Sequence, residues 1–347
     1  MIAHALILSL LMAQAEAPFD PAARVREAIA TARPVAFTSA QVDWSALEAE
    51  MIELSKEAKD TADLLPAYHT LMVRLGDGHS FLQVPPDIQA QWEARHGDVD
   101  YREGLRPPRQ LNTKFSRRLE LEQQDLPLGS KSVRLLNVPA FNGNANSDRA
   151  RAFADSLFTA TAEVPAQTCA YILDLRGNTG GNFWPMVLGL SGLLGPSEQG
   201  IYRAADGSQT AFAHVAEGKA TVITGEHTGV VMATSPAWRE VQGLSRAPVA
   251  LITDDSTASS GEGIVIAFIG RPQTRSFGAR TYGVASANDG YTLSDGIHMV
   301  ITTSVMVDAN NQIHPHGIEP DQPMNADGEA PIRAASDWLK SLPACSD

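Results

Sequence analysis

Apolar residues recur at three- and four-residue spacing over Pro21 to Thr31, Trp44 to Lys56 and Leu64 to Leu75. That is the period of a helix with one buried face, and it predicts three helices. Pro34 and the run Asp60 to Asp63 separate them, and Gly76-Asp-Gly-His-Ser80 closes the set with a turn signal. Residues 84 to 131 are polar, contain proline and show no clear period. The pattern then changes. Val133 to Val138, Ala170 to Leu173 and Val249 to Thr253 are short apolar runs that suit buried strands, while Ser147 to Thr161, Phe183 to Leu194 and Gly263 to Ile269 suit helices. Tyr291 to Asp308 alternates as a hairpin does, with Ser294-Asp-Gly296 as its turn. Strands alternating with helices predict an α/β core. The expected organisation is a small helical bundle over residues 16–83, a connecting segment over 84–131 and the α/β core over 132–347.

The start of the chain is different again. Met1 to Ala15 carries no charged side chain and holds the apolar stretch Ala5 to Met12, followed by Ala13-Gln-Ala15. The stretch is too short to span a bilayer but suits a secretory signal over residues 1–15, cleaved after Ala15, which predicts a periplasmic or secreted protein. No later stretch is apolar enough to cross a membrane. Export permits a disulfide, and the two cysteines, Cys169 and Cys345, are either bridged or two unpaired thiols. With 27 Lys and Arg against 40 Asp and Glu, the formal charge is −13. The densest basic stretch, Arg102 to Arg118, reads as a solvated loop or an electrostatic contact with the rest of the fold, and no basic cluster is large enough to track a phosphate backbone, so nucleic acid is not an expected partner.

Two glycine- and serine-rich turns carry the chemistry. Asp174-Leu-Arg-Gly-Asn-Thr-Gly-Gly181 and Thr257-Ala-Ser-Ser-Gly-Glu262 each follow a strand-like run and precede a helix-like one. Such a passage aims backbone N–H groups and the positive end of a helix dipole at whatever sits in the turn. Side by side, the two turns would form an oxyanion hole next to a serine placed to attack, which is the layout of a serine hydrolase. Ser259-x-x-Glu262 also fits a capping box, but a cap alone does not need the adjacent pair Gly180-Gly181. His79, in its own glycine-flanked turn, is the candidate base. His314-Pro-His316 has no further ligand at a spacing that would complete a metal site.

Taken in order, these blocks resemble the tail-specific (C-terminal processing) proteases, and among them the tricorn protease core. The resemblance runs from about Asp43 to Pro323. It rests on Leu75-Gly-Asp-Gly-His-Ser80, the two turns above, Gly278-Ala-Arg-Thr-Tyr-Gly283 and Gly317-Ile-Glu-Pro-Asp321. It implies a ClpP/crotonase-like α/β core preceded by a helical bundle. Ser259 would be the nucleophile, and the amides of Ser260 and of Gly180 or Gly181 the oxyanion donors. The processing proteases place a lysine base after the Gly-x-x-Thr-x-Gly block, where this chain has Val284, and they usually carry a PDZ domain, for which residues 84–131 are too few. Tricorn-like members use Ser/His/Glu instead. That maps His79 as base and Glu319 as its orienting carboxylate, with Glu262 and Asp321 as other available acids and Ser80 as a helper. The implied reaction is hydrolysis of peptides or unfolded chains through an acyl-enzyme, with no metal or organic cofactor required. The retinoid-binding modules of the interphotoreceptor matrix also resemble this family and bind lipids without cleaving them. The presence of Ser259, His79 and an acidic partner together favours the enzyme.

Overall fold

A computed structural model describes residues 19–102, 120–195, 200–224 and 229–346. The signal-peptide expectation and most of the basic stretch lie outside these residues. The N-terminal part comprises α1 (Pro21–Ala32), α2 (Trp44–Ser55), α3 (Leu65–Arg74), β1 (Phe81–Gln83) and α4 (Pro86–His96). Next come β2 (Gln123–Leu128), β3 (Lys131–Asn137), α5 (Asp148–Ala162), β4 (Thr168–Asp174), α6 (Phe183–Gly189) and α7 (Ser191–Leu194). The strands β5 (Ile201–Ala204), β6 (Gln209–Ala216), β7 (Lys219–Thr224) and β8 (Val230–Thr234) follow. The chain ends with β9 (Val249–Thr253), α8 (Ser260–Phe268), β10 (Thr274–Gly278), β11 (Ser286–Thr292), β12 (His298–Val307), β13 (Gln322–Pro323) and α9 (Ala330–Lys340).

Two sheets organise this mixed α/β fold. One has the order β13-β10-β9-β4-β3-β2, parallel except for β2. Its central strands β4 and β9 are buried along most or all of their length, as expected for strands covered on both faces. Because these two strands are adjacent and parallel, with Asp174 beside Ile252, their C-terminal ends deliver both glycine- and serine-rich turns to one place. The other sheet is antiparallel, in the order β1-β12-β5-β6-β7-β8, with β11 on the remaining side of β12. The helices α1 to α3 pack on one another and on Leu293, Ile297, Met299 and Ile301 of the β11–β12 hairpin. That packing fixes β1 beside β12, with Phe81 opposite Val300, and so places the turn before β1 next to the second sheet.

Several expectations need adjustment. The segment 84–131 holds a helix and a strand: α4 starts on Pro86, whose missing N–H costs nothing there, and it buries only Ile88 and Trp92, too few to show a period. The apolar run from Phe183 breaks at Leu190 into α6 and α7. Cys169 and Cys345 are bridged, which ties the segment after α9 to the start of β4. Closing a loop of 176 residues' separation stabilises the fold by on the order of 5 kcal/mol in a chain-entropy account.

Candidate active site

The turn after β9 is strained. Ser259 has φ 52° and ψ −119°, a conformation L-residues avoid and one that exposes a side chain at a sharp strand-to-helix turn. Glu262 holds it there. Its fully buried carboxylate accepts the Ser259 N–H at 2.9 Å, the Thr281 hydroxyl at 2.6 Å and the N–H groups of Gly283 and Val284 at 2.9 and 2.8 Å. Burial pushes the Glu262 carboxyl up, and the four hydrogen bonds pull against that. Glu262 therefore ties the serine turn to the Thr281–Val284 loop rather than facing the reacting centre.

The first turn closes onto the second. Gly180 has φ 96°, and a Cβ there would lie 2.7 Å from the Ser259 Cβ, so only glycine fits. The Ser260 hydroxyl donates to the Gly181 carbonyl at 2.6 Å, and the Ala258 N–H to the Asn178 carbonyl at 2.9 Å. The Gly180 N–H is spent on the Asn178 Oδ1 at 3.0 Å, so it is not an available oxyanion donor. Among the described residues, the N–H groups of Gly181 and Ser260 have no protein acceptor. Asp254, which the sequence reading passed over, links both turns: one carboxylate oxygen accepts the Gly177, Ser256 and Thr257 N–H groups at 3.1, 3.1 and 2.9 Å.

His79 shares a cleft with Ser259. Its Nδ1 lies 2.7 Å from the Ser286 Oγ at the start of β11. The expected partner is elsewhere. Glu319 faces solvent, 63% exposed, beside Arg280 at 3.6 Å, and it makes no hydrogen bond to His79. Asp321 accepts from Ser276 across β10 and β13 at 2.8 and 2.9 Å. The Gly317-x-Glu-Pro-Asp321 block instead buttresses the Thr281 loop, through Ile318 N–H to the Thr281 hydroxyl at 2.7 Å. Ser80 does not assist the ring either: its hydroxyl donates to Asp77 at 2.6 Å and accepts the Thr302 N–H at 3.0 Å. Asp77 shapes the turn by accepting the N–H groups of His79 and Ser80. With no carboxylate on the ring, burial lowers the His79 pKa to about 4, against the pull of Asp77, which reverses the upward shift Glu319 would give. Ser286 carried no motif that would have singled it out.

The cleft encloses about 1240 Å³ between the two turns and the antiparallel sheet. Asn142, Asn144, Asn146, Asn182 and Asn288 line it, with Met232 on the far wall. The S41 peptidase pattern matches residues 132–324, the stretch that carries both turns and the loop that clamps them. The chain belongs to peptidase family S41. Over 93% of its length this S41 peptidase is 28% identical to the nisin-resistance protein of Lactococcus lactis subsp. lactis, covering 88% of that protein. It is 26% identical to the chloroplastic carboxyl-terminal-processing peptidase 1 of Arabidopsis thaliana, covering 70% of this chain and 43% of that one. Its fold is shared with a lipoprotein from Streptococcus agalactiae at TM-score 0.67, with 20% identity and coverage of 94% and 98%. It is also shared with the photosystem II D1 C-terminal processing protease at TM-score 0.55, with 14% identity and coverage of 94% and 99%.

Proposed function

We propose that this S41 peptidase is an exported serine peptidase that hydrolyses peptide bonds in peptides or unfolded chains through an acyl-enzyme on Ser259. The observation that carries the reading is the strained Ser259 turn beside two unspent amides, those of Gly181 and Ser260. In this reading the His79 Nδ1–H donates to Ser286, which leaves the Nε2 lone pair to take the Ser259 proton as the hydroxyl attacks a carbonyl carbon. The carbonyl oxygen, now an oxyanion, is held by the Gly181 and Ser260 amides and by the N-terminal end of α8. His79 then gives its proton to the leaving amine, and water enters by the same route in reverse. The arrangement is tricorn-like in using a histidine, with the Ser286 hydroxyl in the orienting place expected of Glu319. We read the core as ClpP/crotonase-like.

Export is supported by the Cys169–Cys345 disulfide, a bond that persists in oxidising compartments, and by the apolar Ala5–Met12 stretch. The asparagine-lined cleft suits a peptide backbone, with its repeating donors and acceptors, better than a lipid chain. A fluorophosphonate probe tests the reading. It should label Ser259 in the wild-type protein, and Ser259→Ala should lose both labelling and peptide hydrolysis, with a rate loss on the order of 10⁴-fold or more. Labelling of Ser259→Ala at another residue, with hydrolysis intact, would refute it.

A further inference from the structure

Ser259 and His79 stand between two cavities. Besides the large cleft, a second cavity of about 260 Å³ opens on them, lined by Gly78, Ser80, Phe81, Thr179, Ala258, Tyr282 and Val284. That lining contains no Asp, Glu, Lys or Arg side chain. Val284 and Ala258 are buried apolar side chains, and the Phe81 ring, at the rim of both cavities, is 43% exposed. An aromatic ring left in water at a reacting centre gains when a substrate group covers it.

The walls are fixed before any ligand arrives. The Val284 N–H is held by the Glu262 carboxylate at 2.8 Å, and the Tyr282 N–H by the Thr257 carbonyl at 2.9 Å. Ser80 is held between Asp77 and Thr302. A recess with fixed walls, largely apolar and without a charged side chain, discriminates by size, and a charge entering it would meet no ionic partner. We propose that this recess is a specificity subsite that takes one uncharged, apolar side chain flanking the scissile bond, and that Val284 sets the depth of the recess. This rests on the peptidase reading and adds a substrate class to it: peptides with a medium-sized aliphatic residue beside the cleaved bond. The position that resembles the lysine site of the processing proteases would here shape substrate choice instead of carrying a proton.

The test uses the mature protein and a set of internally quenched peptides. These differ only at the two residues flanking the cleaved bond, which is located by mass spectrometry. Gly, Ala, Val, Leu, Lys and Asp are compared at each position in turn. At one position Val or Leu should exceed Gly in kcat/KM by at least about tenfold, as apolar pockets discriminate, with Lys and Asp disfavoured. Val284→Phe should cut the Leu-to-Ala ratio of kcat/KM by about tenfold or more. Val284→Ala, which only widens the recess, should move the same ratio the other way and serves if Val284→Phe fails to fold. Ratios unchanged in a variant that is still labelled by fluorophosphonate would overturn the subsite and leave the peptidase reading intact. Absence of both labelling and cleavage in the wild-type protein would overturn the two together.

Discussion

The two walls of the cleft are built on opposite principles. On the parallel-sheet side, the Asp174–Gly181 and Thr257–Glu262 turns are locked by buried groups: Asp254 and Glu262 alone accept eight backbone N–H or hydroxyl hydrogen bonds there, two from Thr257 and one each from Gly177, Ser256, Ser259, Thr281, Gly283 and Val284. On the antiparallel side, the ladders shift register between β6 and β7 and again between β7 and β8, and Val230 and Val231 on β8 are 65% and 41% exposed. The first wall places atoms to a fraction of an ångström, as bond-making needs. The second offers extended strands with Val222, Met232 and Val300 among the side chains that line the cleft. Losses on the first wall should therefore appear in kcat, and losses on the second in KM.

The largest effect expected in the present set is at His79, which the second sheet carries to the first wall. His79→Ala should lower kcat by roughly 10³- to 10⁴-fold, as loss of a base from a nucleophile pair does elsewhere. The pH profile sharpens the point. With its pKa held down to about 4 by burial, the ring is already neutral through the physiological range, so kcat/KM should rise through about pH 4 and be flat from there to neutrality. A rise centred near pH 6.5 would mean that the ring is solvated, contrary to the geometry. The same shift has a stability consequence of definite sign. Between the unfolded value of about 6.5 and the folded value of about 4, the unfolded chain binds the proton and the native one does not, so stability falls as pH falls through that window. The His79→Ala protein should lack this component in a pH series of thermal midpoints.

A smaller effect separates two candidate orienting groups. Ser286→Ala removes the hydrogen-bond partner of the His79 Nδ1 and should lower kcat by roughly 10- to 100-fold with KM little changed. Glu319→Gln, on the surface beside Arg280, should stay within about twofold of wild type, because an exposed ion pair contributes little. Equal losses in the two variants would return Glu319 to the site. Smallest on the chemical step is the far wall. Met232→Ala should raise KM several-fold and leave kcat within about twofold, since the side chain lines the cleft away from the turns. A kcat loss as large as that of Ser286→Ala would erase the distinction between the walls.

What the sequence made legible follows the same division. The buried parallel strands are apolar runs without alternatives: β9 covers Val249–Thr253, the residues expected from the pattern, and the helix over Ser147 to Thr161 appears as α5 with Ser147 as its cap. The strands β5 to β8 escaped notice because polar residues such as Arg203, Gln209 and Lys219 fall at irregular positions along them, so no clean two-residue alternation marks them. In the candidate site, Ser259 and the glycine pair stand out in the sequence because a sharp turn demands particular residues. The partner of His79 was not. Ser286 lies 207 positions along the chain from it, and a serine that opens an edge strand looks like any other until the fold brings it to the ring. The Gly180 amide shows the converse limit, for the glycine-pair turn named Gly180 or Gly181 but only geometry reveals that Asn178 accepts the Gly180 N–H.

The pairing of Phe81 with Val300 sets the timetable of this molecule. On the proposed assignment, the base reaches the nucleophile only after a strand near the C-terminus has been made and has laid itself beside β1. A chain made only as far as residue 297 thus holds Ser259 and His79 but lacks the strand that pairs with β1.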